Sequence, residues 1–221
     1  MLKVKSLFVS FTKEYFTLND ISLELSAGER LTIIGNKESG RTALIRTLVG
    51  LEPISKGEIF YNGLALNKID FENDISVGYV PSMPAFAENK TVKSNIEYII
   101  KLRTKDKKMI SIKTQNALNE YGLDYIKNKK IKELSYFDRI KLAIARLSTR
   151  NIDIVLIDDI FAKLSSMEKD KAIKMVKNLI KSQSSAAIIM VDSDEIANKF
   201  GYNKKYLIYG SLSDKNEIEN N

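Results

Sequence analysis

The run IDIVLI at 152–157 is apolar without a break from Ile154 to Ile157 and rich in β-branched residues, which marks a parallel strand covered on both faces. AAIIMV at 186–191 repeats the pattern, and EKDKAIKMVKNLIKS between them is an amphipathic helix. Upstream, RLTII forms a strand, and residues 41–49 form a helix that Gly50 stops. TLNDISLELS (17–26) alternates apolar and polar positions at Leu18, Ile21, Leu23 and Leu25, as a half-buried strand does, with a turn at Ala27–Gly28–Glu29 behind it. GEIFYNG and ISVGYVP look like further strands, and KYLIYGSL a terminal one. Strands alternating with helices imply an α/β core with a parallel sheet.

From 91 to 149 the pattern is helical. Thr91 caps TVKSNIEYIIKLR, which carries Val92, Ile96, Ile99 and Ile100, and IKLAIARL places Ile140, Ala143, Ile144 and Leu147 on one helical face. This helical middle, about 87–149, is expected as an insertion within a single domain over 1–221.

Between RLTII and the helix at 41 lies GNKESGRT, the outline of G-x-x-x-x-G-K-[ST] with Arg41 in the lysine position. Glycines let successive backbone N–H groups turn inward around an anion, and a helix N-terminus adds partial positive charge. The candidate nucleotide-binding residues are therefore Gly35, Asn36, Lys37, Glu38, Ser39, Gly40, Arg41, Thr42 and Ala43, with the Thr42 hydroxyl a ligand for Mg²⁺. A glycine-capped strand-to-helix turn is the alternative. IDIVLI ends on Asp158 and Asp159. Two buried carboxylates need a cation or protons beside them, and Mg²⁺ on nucleotide phosphates meets that need. A solvent-exposed strand end is the other reading.

Composition removes several chemistries. The chain has no cysteine and no histidine, so thiolate catalysis, disulfides and the commonest general base and metal ligand are excluded. Net charge is +7, but the lysines form no single dense tract, and the densest cluster, KLRTKDKKM, contains an acid. Nucleic acid is accordingly not expected as a partner. No apolar stretch approaches the roughly 20 residues that span a bilayer, and MLKVKSLFVSF lacks a secretory pattern. The chain is expected in the cytoplasm, reaching a membrane only through a partner.

Five motifs in order resemble the ATP-binding cassette family, the nucleotide-binding subunits of ABC transporters, over nearly the whole chain. GNKESGRT is similar to the phosphate loop, GLEPISKGEIFYNG to the segment after the first helix, and VGYVPSMPAFAENKTVKSNI to the Q-loop stretch. LSYFDRIKLAIARLS lies where the family has LSGGQ-R-x-R-x-ALARAL, with Leu134, Ser135, Arg139, Ala143, Ala145 and Arg146 in pattern; VDSDEIA is similar to the switch region. The step from Leu134 to Asp158 (158 − 134 = 24) suits the signature-to-Walker-B distance. The resemblance implies a P-loop NTPase with a parallel-sheet core, an N-terminal antiparallel β subdomain and an inserted α-helical subdomain. It also implies ATP and Mg²⁺ as cofactors, with Asp158 as the Mg²⁺-associated acid and Phe11 or Tyr15 stacking on adenine, unless either aromatic is simply core.

The departures from that pattern all bear on chemistry. Arg41 keeps the charge of the phosphate-loop lysine but is bulkier and forked, so affinity should weaken or the loop shift. Asp159 stands at the catalytic glutamate, one methylene short, where a shift on the order of 1 Å costs roughly a hundredfold in rate. Ser82 replaces the Q-loop glutamine that helps hold metal, Asp192 the switch histidine, and Ser165 the D-loop aspartate. Tyr136 and Phe137 replace the signature glycines donated to a dimer partner, where their rings should obstruct close approach. Ser135 is open to two roles that can hold at once, phosphate contact and N-cap of the following helix with Asp138 completing S-x-x-D.

The function expected from the resemblance is a nucleotide-binding subunit of an ABC transport complex, with ATP hydrolysis impaired or lost. The alternative is an inactive regulatory or docking subunit that pairs with an intact ATPase and need not bind nucleotide. Expected partners are integral membrane transporter subunits and a second cassette, a heterodimer in preference to a homodimer, at the inner face of the cell membrane.

Overall fold

The computed structural model describes residues 1–10, 17–71 and 73–214. In chain order the elements run β1 (Leu2–Val9), β2 (Leu18–Leu25), β3 (Arg30–Ile34), α1 (Arg41–Leu48), β4 (Lys56–Tyr61), β5 (Leu64–Ala65), β6 (Val77–Val80) and α2 (Val92–Lys101). There follow α3 (Lys107–Glu120), α4 (Tyr136–Ser148), β7 (Ile154–Asp158), α5 (Ser166–Ser182), β8 (Ala186–Val191), α6 (Asp194–Phe200), β9 (Asn203–Ile208) and β10 (Ser211–Ser213). They group into two compact units: Met1–Tyr79 with Ile152–Asp159 and Gln183–Asn221, and Val80–Asn151 with Ile160–Ser182.

In the first unit β1 is the spine of a four-stranded sheet ordered β2-β1-β4-β5, with β1 antiparallel to both neighbours. Leu2, Val4, Leu7 and Val9 are buried with Leu18, Ile21, Leu23 and Leu25 of β2. The alternation in β1 breaks at Ser6, where φ is 40° and the register shifts, so the strand bulges. That bulge hid β1 from a period-two reading of the sequence. Gly57 of β4 faces it with φ at 89°, where a Cβ would collide with the Ser6 carbonyl.

The second sheet of this unit is ordered β10-β9-β3-β8-β7-β6, with β3, β7, β8 and β9 in parallel register. Every residue of β7 and β8 is buried, as the unbroken apolar runs require. Because β8 lies between β3 and β7, the ends of the phosphate-loop strand and the Asp158 strand open on the same edge, one strand apart. KYLIYGSL is not the single strand expected. It turns at Tyr209 and Gly210, both at positive φ (46° and 79°), and β10 folds back antiparallel on β9.

The second unit is helical. The Thr91 hydroxyl accepts the Ser94 N–H and caps α2, and Asp106 caps α3 through the Lys108 and Met109 N–H groups. Ile140, Ala143 and Ile144 of α4 are buried, so the helical spacing read from the sequence does mark its inner face. The unit includes α5 as well as the helices between 87 and 149. Among the described residues no helix is long and apolar enough to cross a membrane.

Candidate functional site

The loop after β3 is open, not collapsed. Gly35 donates its N–H to the Val191 carbonyl at 3.1 Å, and a Cβ on Gly35 would lie 2.8 Å from the Leu207 carbonyl and strike the Ser39 side chain. Asn36 starts a tight turn: its carbonyl accepts from the Ser39 N–H (3.3 Å) and hydroxyl (2.9 Å), and its Oδ1 accepts from the Glu38 N–H (3.1 Å). The β9–β10 hairpin supports the loop from behind, Gly210 donating to the Ser39 carbonyl at 3.1 Å. Gly40 takes φ of 97° and a Cβ there would sit 2.9 Å from both Leu18 Cδ2 and the Thr17 carbonyl, so no other residue fits. Directly after it α1 begins with no side-chain cap and no acid in its first turn. Its leading N–H groups and positive dipole end are left to an anion.

Across the strand ends, the Thr42 hydroxyl donates to both oxygens of Asp158, at 3.3 and 3.1 Å. Asp158 is 1% exposed, which decides between the two readings of the acid pair: it is a buried carboxylate, not a solvated strand end. Burial pushes its carboxyl above the ordinary range, against the pull of the Thr42 hydroxyl, Arg41 and Arg46, while Asp159 adds to the rise. A buried carboxylate beside a hydroxyl is a hard oxygen pair suited to Mg²⁺ shared with phosphate oxygens. Among the described residues no group of three or more acids could hold a metal alone, so phosphate would have to complete the shell. The residues therefore fit a nucleotide-borne Mg²⁺.

Arg41 and Asp159 behave otherwise than the loop pattern suggests. Arg41 Nη2 is 3.0 Å from Asp159 Oδ2, with side chains 8% and 15% exposed. The residue in the lysine position is thus committed to the residue in the catalytic-glutamate position. Arg41 is buried, and among the described residues its Nη1 has no hydrogen-bond partner. Asp159 is at φ 28° and holds its N–H on the Met190 carbonyl at 3.2 Å, so its carboxylate is fixed from the backbone side too.

A cavity of about 330 Å³ opens over the loop, lined among others by Lys37, Glu38, Arg41, Thr42, Ala43 and Arg46. Arg46 is itself paired with Glu52 at 2.7 Å. Asp192 is exposed at the end of β8, beside the strand that feeds the loop. The two aromatics expected over adenine, Phe11 and Tyr15, lie outside the described residues.

The remaining expected site residues belong to the second unit. Ser135 takes the capping role: its Oγ accepts the Asp138 N–H at 3.1 Å and shares a 2.8 Å hydrogen bond with the Asp138 carboxylate. A phosphate contact by Ser135 would have to displace that bond. Tyr136 is half-buried, with its hydroxyl donated to the Ser82 carbonyl at 2.8 Å and placed 3.3 Å from the Ile160 carbonyl. Phe137 lies under the Lys141 ammonium, 5.4 Å from ring centroid to nitrogen. Ser165 is tied to Glu168, donating both its N–H (2.9 Å) and its hydroxyl (2.7 Å).

Two arginines that match the signature pattern prove to be anchors. Arg139 grips Glu88 with both fork nitrogens at 2.7 Å, and Arg146 donates to the Ala85 carbonyl at 2.9 Å with its guanidinium over Phe86. With Tyr136, they give α4 three holds on the segment 82–88. The sequence places these residues on one helix but gives no sign of where their side chains reach.

Comparison with known proteins agrees with this geometry. The ABC transporter family model matches residues 18–162. The molybdate/tungstate import ATP-binding protein WtpC of Pyrococcus horikoshii is 29% identical over 214 residues, 96% of this chain and 61% of that protein. This chain thus spans about three-fifths of that relative's length. The lipoprotein-releasing system ATP-binding protein LolD of Francisella tularensis is 27% identical over 216 residues, 95% of this chain and 93% of that protein. A dimeric ATP-binding cassette solved in a post-hydrolysis state with ADP and inorganic phosphate superposes with a TM-score of 0.84 at 21% identity, covering 96% of this chain and 97% of that one. The α/β fold is that of such cassettes, a P-loop NTPase.

Proposed function

The chain belongs to the ABC transporter family as its ATP-binding domain, and on that premise we propose that it binds nucleotide with hydrolysis impaired or lost. The observation that carries the reading is the Arg41–Asp159 ion pair at 3.0 Å. A phosphate-loop cation must be free to meet phosphate, and the residue after the Mg²⁺-associated acid must be free to orient water. Here each neutralises the other. Binding keeps its main determinants: the open Gly35–Gly40 loop, the uncapped start of α1, and Thr42 placed against Asp158. When bound, Mg²⁺ would neutralise phosphate charge, with Thr42 and Asp158 as its protein ligands.

Loss of hydrolysis in one cassette is tolerable where a second cassette supplies the power. We therefore assign the chain a heterodimeric role beside an intact cassette, docked on integral membrane transporter subunits at the inner face of a membrane. The relatives support the transport-system part of this assignment, since those two are named as ATP-binding proteins of an import and a releasing system.

The test is a paired measurement of nucleotide affinity and phosphate release on the purified chain. Binding without turnover supports the reading. Turnover as fast as that of an intact cassette measured alongside, and abolished by Asp158→Ala, would overturn it, and absence of any binding would favour a docking subunit that needs no nucleotide.

A further inference from the structure

We propose that Lys37, not Arg41, supplies the side-chain positive charge that meets the nucleotide phosphates in this chain, so that the loop's cation has moved four positions toward its start. The inference rests on the nucleotide-binding reading of the same cavity and specifies the residue that reads the phosphates there.

Three cations line the cavity: Lys37, Arg41 and Arg46. Arg41 is buried and held by Asp159 at 3.0 Å. Breaking that contact to reach a phosphate would strand a carboxylate that is 15% exposed, a costly exchange at low dielectric. Arg46 is held by Glu52 at 2.7 Å. Lys37, exposed like Arg46, is alone of the three in forming no ion pair among the described residues. It sits at a corner of the Asn36–Ser39 turn, on the lip of the cavity. Its ammonium is a compact charge on a flexible four-carbon stem, suited to following a phosphate chain without a fixed fork geometry.

Glu38, the next corner of the turn, lines the same cavity with the opposite charge. A carboxylate in that lining repels phosphate, so removing Glu38 should strengthen the site. Ala43, the third residue of α1, adds no hydroxyl and Thr42 gives its own to Asp158, which leaves the loop amides and Lys37 as the donors.

Isothermal titration of the full chain with ADP tests this without turnover. Lys37→Gln is expected to weaken ADP by about tenfold, Lys37→Arg to stay near wild type, and Glu38→Gln to tighten binding. Adenosine, which carries no phosphate, should bind all four proteins alike. Unchanged ADP affinity in Lys37→Gln overturns the proposal. Loss of binding in Arg41→Gln alone, at a temperature where circular dichroism shows that variant folded, also overturns it. A wild-type chain that binds no ADP removes the nucleotide reading itself, and this inference with it.

Discussion

Arg41 at the head of α1 and Asp159 just past β7 form a 3.0 Å ion pair in which both side chains are largely withdrawn from solvent. By the sequence resemblance, their positions are those of a phosphate-binding cation and a water-orienting acid. On the function proposed above, neutralising one with the other removes both from chemistry.

Removing one partner should leave the other charged and poorly hydrated, at a cost of about 3 kcal/mol. Arg41→Ala and Asp159→Ala are each expected to lose stability on that scale, and the double variant clearly less than their sum. Urea unfolding of the four proteins measures the coupling. Strictly additive losses would mean the pair is not a unit.

Asp158 carries a pH signature. Its folded-state carboxyl titrates above the ordinary value because it is buried, so the folded chain holds the proton where the unfolded chain has lost it. Stability from this group falls as pH rises from the ordinary value near 3.9 to the raised one, and the ionised carboxylate remains a cost at neutral pH. Asp158→Asn should therefore raise the melting temperature of the nucleotide-free protein at pH 7, by about 3 °C for each ~1 kcal/mol relieved. The gain should shrink in acid, and the variant should lose any stabilisation by Mg²⁺ with nucleotide. Thermal melts across pH check both parts.

Tyr136 is expected to be structural. Tyr136→Phe deletes the 2.8 Å hydrogen bond to the Ser82 carbonyl and should cost about 1 kcal/mol. Hydrogen exchange should quicken across 82–88, where Arg139 and Arg146 supply the other holds on α4. Equal protection in the variant would show that the hydroxyl anchors nothing.

Much of the frame was legible in the sequence because buried parallel strands read as unbroken apolar runs, as in β7 and β8. The loop was legible because Gly35 and Gly40 occupy positions that exclude a side chain. Illegible parts depend on contacts across the chain. Thr42 and Asp158, expected around one Mg²⁺, do meet from 116 residues away, but Arg41 meets Asp159 over a similar gap with no sign of it in the motif pattern. Of the two compatible roles the sequence offers Ser135, the geometry displays the cap, with the Asp138 N–H 3.1 Å from its Oγ. Tyr136, expected as an obstruction at the signature, spends its hydroxyl on the unit's own backbone. The terminal hairpin was missed because Tyr209 is no usual turn former, although Gly210 beside it is.

The most direct test of the central claim is single-turnover phosphate release from radiolabelled ATP held on the purified chain with Mg²⁺. The account predicts that bound ATP is largely retained, with release far slower than from an intact cassette measured alongside at saturating nucleotide. Release from the wild type as fast as from the intact cassette, and absent in Asp158→Ala, would contradict it.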